Sequence, residues 1–238
     1  MNRTVDLLAI AAHRDDVEQT CGGALIAMAE KGYRTGVLDL TAGEMGTRGD
    51  VETRAREAEE AARELLLSRR DNLGLPDARL DSGLEAKLAI AAKIRELRPR
   101  AVILPYWEGR HPDHYRTAEL GYEACFLAGL KKLELPGEPH RPAKILYAAL
   151  YAHVPPTFVV DITAQFERRL RALFCYRSQY EDQPAGAGLF PAREEMAERI
   201  RAVARYYGML IGVKYGEPFV VKEMLRIDDV VKMPVASL

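Results

Sequence analysis

The stretch His13-Arg14-Asp15-Asp16-Val17-Glu18 places a histidine and two carboxylates directly after an apolar run over residues 5–12. That run reads as a buried strand. Charged groups at the tip of a buried strand are costly to desolvate unless they pair or hold a metal. A second cluster, His111-Pro112-Asp113-His114, follows the apolar run of residues 101–104. Of the five histidines in the chain, three therefore fall at two strand tips, each beside aspartate. This is the pattern of a metal site.

His13, Asp16 and His114 offer two imidazoles and one carboxylate, a set that suits a catalytic zinc with one position left for water. The close spacing of His13 and Asp16 lets one tight turn aim both at a single point. Asp15 then lies beside the metal without ligating it. A carboxylate there can take a proton from bound water, whose pKa zinc brings to about 7. His111 and Asp113 form a second pair, in which the imidazole donates to a developing oxyanion and the carboxylate fixes its orientation. Together these parts describe metal-assisted hydrolysis of an amide or ester, with one zinc per chain. Each residue alone has a plainer role: Asp15 or Asp16 could cap the next helix, and His111 could cap one started by Pro112. What those roles leave unexplained is both clusters meeting on one rim.

Arg54 shares a helical face with Ala58, Ala61 and Leu65, which turns it toward the sheet. It also sits in a first helical turn, where a cation opposes the macrodipole. With Arg48 in the preceding loop and Arg110 beside His111, it would suit a polar or anionic substrate. A solvated arginine is the plainer reading of each. The glycines between Gly43 and Gly49 do not make a phosphate cradle, because no Lys-Ser/Thr pair follows them.

The elements that must position these residues alternate along the chain. Residues 5–12, 35–41, 71–75 and 101–104 read as strands, with helical patterns over 19–31, 50–69, 84–98 and 112–132 between and after them. Gly32 and Pro99 are stop signals, and Asp50 is an N-cap. The β-α-β-α order predicts a Rossmann-like α/β fold, a mostly parallel sheet with helices on both faces. Right-handed crossovers put every carboxyl end on one rim, where open α/β sheets bind ligands. His13 and His114 thus meet although about a hundred positions separate them.

Beyond Pro136 the alternation breaks. Residues 144–150 and 157–162 read as strands with a short connection, which favours an antiparallel edge or a hairpin. Helices follow over 165–176 and 192–211, the second with Met196, Ile200, Val203 and Tyr207 on one face. Between them residues 177–191 form a loop long enough to be functional. No linker divides the chain, so residues 1–238 read as one domain.

Composition narrows the function classes. A net charge of −1 argues against nucleic acid and anionic membrane as partners. No apolar run approaches the roughly 20 residues that span a bilayer. The first apolar segment is short and carries Asp6, unlike a signal peptide. Cys21, Cys125 and Cys175 are scattered and odd in number, so a reduced, cytoplasmic setting is expected.

These residues resemble the LmbE-like (PIG-L) zinc N-deacetylases, whose signature is Ala-His-Pro-Asp-Asp-x-Glu followed by His-Pro-Asp-His. Ala12 to Glu18 match the first motif and His111 to His114 match the second. Gly43-Glu44-Met45-Gly46-Thr47-Arg48-Gly49, Asn72-Leu73-Gly74-Leu75-Pro76-Asp77, Arg177-Ser178-Gln179, Tyr206-Tyr207-Gly208 and Gly216-Glu217-Pro218-Phe219-Val220-Val221 look like the bacillithiol-biosynthesis branch. The resemblance implies a deacetylase acting on N-acetylglucosaminyl-malate, with another N-acetyl sugar such as a chitooligosaccharide as the alternative substrate. It implies His13, Asp16 and His114 as zinc ligands, Asp15 as general base, and His111 supported by Asp113 as oxyanion stabiliser. It further implies a homo-oligomer, hexameric in many members of that branch. One departure is Arg14 in place of the family's proline, which adds a cation near the site and frees the turn. A non-catalytic metal- or nucleotide-binding α/β protein is the reading from another class, and an unligated Asp15 argues against it.

Overall fold

A computed structural model describes residues 4–181 and 191–235. The strands β1 (Leu7–Ala11), β2 (Thr35–Thr41), β3 (Arg69–Leu75), β4 (Ala101–Pro105), β5 (Lys144–Ala148), β6 (Phe158–Asp161) and β7 (Gly216–Val220) form one seven-stranded sheet. Its order is β3-β2-β1-β4-β5-β7-β6. The first five strands are parallel, and β7 is antiparallel to both its neighbours. Every residue of β1 is buried, as expected for a parallel strand covered on both faces.

The period of two along β1 divides the core. Leu8 and Ile10 join Val102 and Leu104 on one face. There they meet Ile90 and Ile94 of α4 (Leu84–Leu97), and Leu120 and Ala124 of α5 (Pro112–Ala128). Leu7, Ala9 and Ala11 face Leu25 and Ile26 of α2 (Gly22–Glu30) on the other side. A third cluster joins Ala58 and Ala61 of α3 (Val51–Glu64), Phe166 and Leu170 of α6 (Phe166–Leu173), and Ile200 and Ala204 of α8 (Arg193–Leu210).

Four expectations are corrected. The helix expected over 19–31 starts earlier, as α1 (Asp16–Thr20), and breaks at Cys21, whose φ is −145°. The break frees the amides of Gly23 and Ala24, which donate to the Glu217 carboxylate at 2.8 and 2.7 Å. The helix α3 stops at Glu64 rather than Arg69, because Leu66 turns left-handed at φ 58° and Arg69 opens β3. Helix α5 ends at Ala128 instead of residue 132. Finally, β5 and β6 form no hairpin: β7, unread in the sequence, lies between them. What holds β7 there is buried charge. Arg169 Nε lies 3.2 Å from Glu217 Oε1 with both side chains at 0% exposure, and donates to Glu18 O at 2.9 Å.

Within the expected loop 177–191, Arg177–Tyr180 forms a short helix, α7, and residues 182–190 lie outside the described residues. No described helix is long and apolar enough to cross a membrane. The chain leaves β1 toward β2 on one side and reaches β4 on the other, so the crevice between β1 and β4 opens at their carboxyl ends.

Candidate metal centre and active site

Strand β1 ends against β2, where Ala12 O accepts both the backbone N–H and the hydroxyl of Thr41 at 3.0 Å. The chain then turns sharply. The Asp16 carboxylate caps that turn by accepting the His13 backbone N–H at 2.8 Å. Its Oδ2 lies 3.4 Å from His13 Nδ1, and its Oδ1 lies 3.1 Å from His114 Nε2. His114 arrives on the first turn of α5, which His111 caps and Pro112 opens. One ligand atom each from His13, Asp16 and His114 fall within 4.8 Å of one another. Two imidazole nitrogens and a carboxylate oxygen so placed fit a divalent metal of the zinc type.

The far nitrogen of His13 is also held. Its Nε2 lies 3.1 Å from Asp77 Oδ1 and 3.3 Å from Asp113 Oδ2. Carboxylates on the outer nitrogen of a ligating histidine fix its tautomer and orientation. Asp77 went unread in the sequence, although it stands just past β3 on the same rim. Its Oδ2 accepts the Met45 N–H at 3.0 Å, while its own N–H donates to Glu44 at 2.7 Å, so two loops lock together. Asp113 departs from its expected part. Its carboxylate turns to His13 and to the Ala78 N–H at 2.9 Å, and only its backbone amide reaches His111, at Nδ1, 3.3 Å away.

These contacts set the charges. Burial works against an imidazolium at His13, but Asp16, Asp15 and Asp77 outweigh it and hold the pKa up at about 10. Burial likewise opposes charge on Asp16, and the two imidazoles overcome it, keeping the carboxyl well below its usual range. His111 is shifted the other way, by partial shielding and by the neighbouring imidazoles. That favours the neutral ring, with Nδ1 accepting from the Asp113 backbone N–H and Nε2–H left to donate outward.

Asp15 stands next to the ligand set and is gripped by three donors. The Tyr180 hydroxyl donates to Oδ2 at 2.8 Å, Gln19 Nε2 donates to the same oxygen at 3.2 Å, and Arg54 Nη2 reaches Oδ1 at 3.4 Å. Tyr180 belongs to α7, which docks where Ser178 donates twice to Glu57, at 2.7 and 2.6 Å. Sequence reasoning missed Tyr180, Gln19 and Glu57. The run Arg177-Ser178-Gln179 was the signal, but nothing local tied it to Asp15.

The three arginines part company. Arg54 and Arg48 are each 5% exposed. Arg54 also donates to Gly43 O at 3.0 Å, and Arg48 Nη1 donates to Gln179 O at 3.0 Å. Arg110 is exposed on the rim beside His111. Arg14 neither frees the turn nor points a cation at the ligands. Its Nη1 donates to Val51 O at 3.1 Å, while its carbonyl accepts from Arg70 and Tyr176, which tether the turn. Beneath it Arg70 forks onto Asp39 at 2.8 and 3.0 Å and reaches Glu18 at 2.7 Å.

Residues 8–125 match the family model for the PIG-L GlcNAc-PI de-N-acetylases. The chain is 31% identical to the diacetylchitobiose deacetylase of Thermococcus kodakarensis over 91% of its own length and 82% of that protein. A solved structure of a conserved protein from Thermus thermophilus superimposes with a TM-score of 0.86. It is 40% identical and covers 94% of this chain and 98% of that one. The inhibitor-bound N,N'-diacetylchitobiose deacetylase of Pyrococcus horikoshii gives a TM-score of 0.79 at 29% identity, over 90% of this chain and 82% of that one. With both histidine motifs on one rim of this shared fold, the chain belongs to the PIG-L/LmbE-like family of N-deacetylases.

Proposed function

We propose that this chain removes acetate from an N-acetylglucosamine conjugate, using one zinc ion held by His13, Asp16 and His114. The observation that carries the reading is Asp15, a carboxylate next in sequence to the ligand Asp16, held by Tyr180, Gln19 and Arg54 and outside the His13–Asp16–His114 set. A purely structural site has no use for such a group. Zinc at this donor set would polarise the amide carbonyl and acidify an attacking water. The chain's own groups do the rest. Asp15 takes the proton of that water and returns it to the departing amine. His111 presents Nε2–H to the developing oxyanion, its ring fixed by the Asp113 amide. Asp77 and Asp113 keep His13 in register.

For the substrate we favour N-acetylglucosaminyl-malate, supported by the loop motifs from Gly43 to Gly49 and Asn72 to Asp77 and by the exposed Arg110 beside His111. We assign the malate carboxylate to Arg110, because Arg48 and Arg54 already donate to the protein. A chitooligosaccharide is the second reading, supported by the likeness to two diacetylchitobiose deacetylases. Acetate release from both compounds, by the parent and by Arg110→Ala, separates them. The first reading expects higher kcat/KM on the malate conjugate and an Arg110→Ala loss confined to it. Equal efficiency on both compounds in both proteins leaves a general sugar deacetylase.

A homo-oligomer, hexameric in the favoured case, accords with the apolar side chains exposed on the last segment, among them Met224, Val230 and Val231. A cytoplasmic setting accords with three free cysteines.

A further inference from the structure

The chain's single tryptophan, Trp107, lies in the loop between β4 and α5 that also carries Arg110 and leads into His111. Its ring stands edge-on to Tyr147 of β5, with centroids 4.7 Å apart, and lies 4.2 Å from Tyr106. Tyr147 is 1% exposed and its hydroxyl has no hydrogen-bond partner, so the residue acts there as a ring. Over this group sits the ammonium of Lys222, just past the end of β7. Its Nζ is 4.7 Å from the centroid of Trp107, 4.6 Å from that of Tyr122 on α5, and 5.1 Å from that of Tyr147. One cation thus faces three aromatic rings drawn from the loop, a helix and a strand. Each ring offers its negative face, and the attraction falls within the range of a cation–π contact.

We propose that Lys222 is a positioning residue for the active site. Its ammonium pins Trp107 against Tyr122 and Tyr147, and through Trp107 it sets the loop that delivers Arg110 and His111 to the rim. The loop needs such a pin because Arg110 and His111 are themselves exposed, and the body of the sheet stops at Pro105. The inference rests on the deacetylase reading for its activity arm, but not for its spectroscopic one.

The test uses two variants of the full chain. Lys222→Met keeps the aliphatic stem and removes the charge, whereas Lys222→Arg keeps a cation that stacks on aromatic faces. Trp107 is the only tryptophan, so the emission spectrum reports its surroundings directly. Lys222→Met should shift that emission, lower kcat about 2- to 5-fold, the scale of a cation–π contact at an exposed lysine, and raise KM for the anionic conjugate through Arg110, with zinc content unchanged. Lys222→Arg should restore these readouts. Parent-like emission in Lys222→Met overturns the pin, and shifted emission with parent-like kcat overturns the positioning role. Equal losses in the Met and Arg variants would show that chain length and not charge matters, and would also overturn it. A parent chain that releases no acetate from any N-acetylglucosamine conjugate defeats the deacetylase reading instead, while the emission arm still reports on the pin.

Discussion

The hydroxyl of Tyr180 donates to a carboxylate oxygen of Asp15 at 2.8 Å across 165 positions of sequence. A general base is useful only while its free lone pair points at the substrate, and this bond fixes the rotation of the carboxyl group. A hydrogen bond to a charged group contributes about 1.5–3 kcal/mol, so Tyr180→Phe should lower kcat roughly 10- to 100-fold. KM and metal content should stay at parent values. Asp15→Asn, which cannot accept the proton, should lose about 100-fold or more with zinc still bound. Near-parent turnover in both variants would remove Asp15 from the reaction.

Asp77 makes a separate claim, about the metal rather than the chemistry. It holds the outer nitrogen of His13 at 3.1 Å. Losing such a support ordinarily weakens metal binding about 10- to 100-fold. Competition of Asp77→Ala with a chromophoric chelator should show that loss, and Asp77→Asn, which can still accept through its amide oxygen, should lose less. Parent affinity in the alanine variant would leave Asp77 a loop anchor alone, bonded to Met45 and Ala78.

The raised pKa of His13 predicts how the metal-free chain responds to pH. The group moves from 6.5 when unfolded to about 10 when folded. Its imidazolium therefore contributes stability that is complete below the unfolded value and lost as pH rises through the folded one. Thermal melts of the metal-free parent and His13→Asn should show a gap in Tm that closes across this window. A gap that is constant or widens with pH would contradict the charge assignment. Because metal must displace the same proton, zinc affinity should strengthen over the same interval.

Behind the helix that carries Asp16, the buried pair of Arg169 and Glu217 bears on the fold itself. Glu217→Ala leaves the Arg169 guanidinium without its carboxylate and uncaps Gly23 and Ala24. Breaking a buried pair on one side costs about 3–5 kcal/mol, which chemical denaturation would register. A loss within a few tenths of that for an exposed substitution would mean that β7 is held by its strand pairing alone.

What could be read in the sequence follows from how local each signal is. The strand before His13, the Asp50 cap that accepts from Thr53 at 2.7 Å, and the Pro112 helix start all depend on neighbours within a few positions. Strand order then brought His13 and His114 together, because parallel α/β topology leaves little choice of rim. Asp77 and Tyr180 were not legible, since their roles exist only once distant loops meet. Strand β7 was hidden for another reason. Gly216, Glu217 and Pro218 are poor strand formers, and the carboxylate that anchors them is buried against an arginine from α6. The hairpin expected between β5 and β6 failed because it needed β7 to be absent.

The most direct test of the central claim combines zinc content with acetate release from N-acetylglucosaminyl-malate, before and after chelation, in the parent and in His114→Ala. The site built from His13, Asp16 and His114 predicts about one zinc per parent chain, with release that stops on chelation and returns with zinc. It predicts that His114→Ala loses both metal and activity. Full zinc occupancy in His114→Ala, or acetate release that survives chelation in the parent, would contradict it.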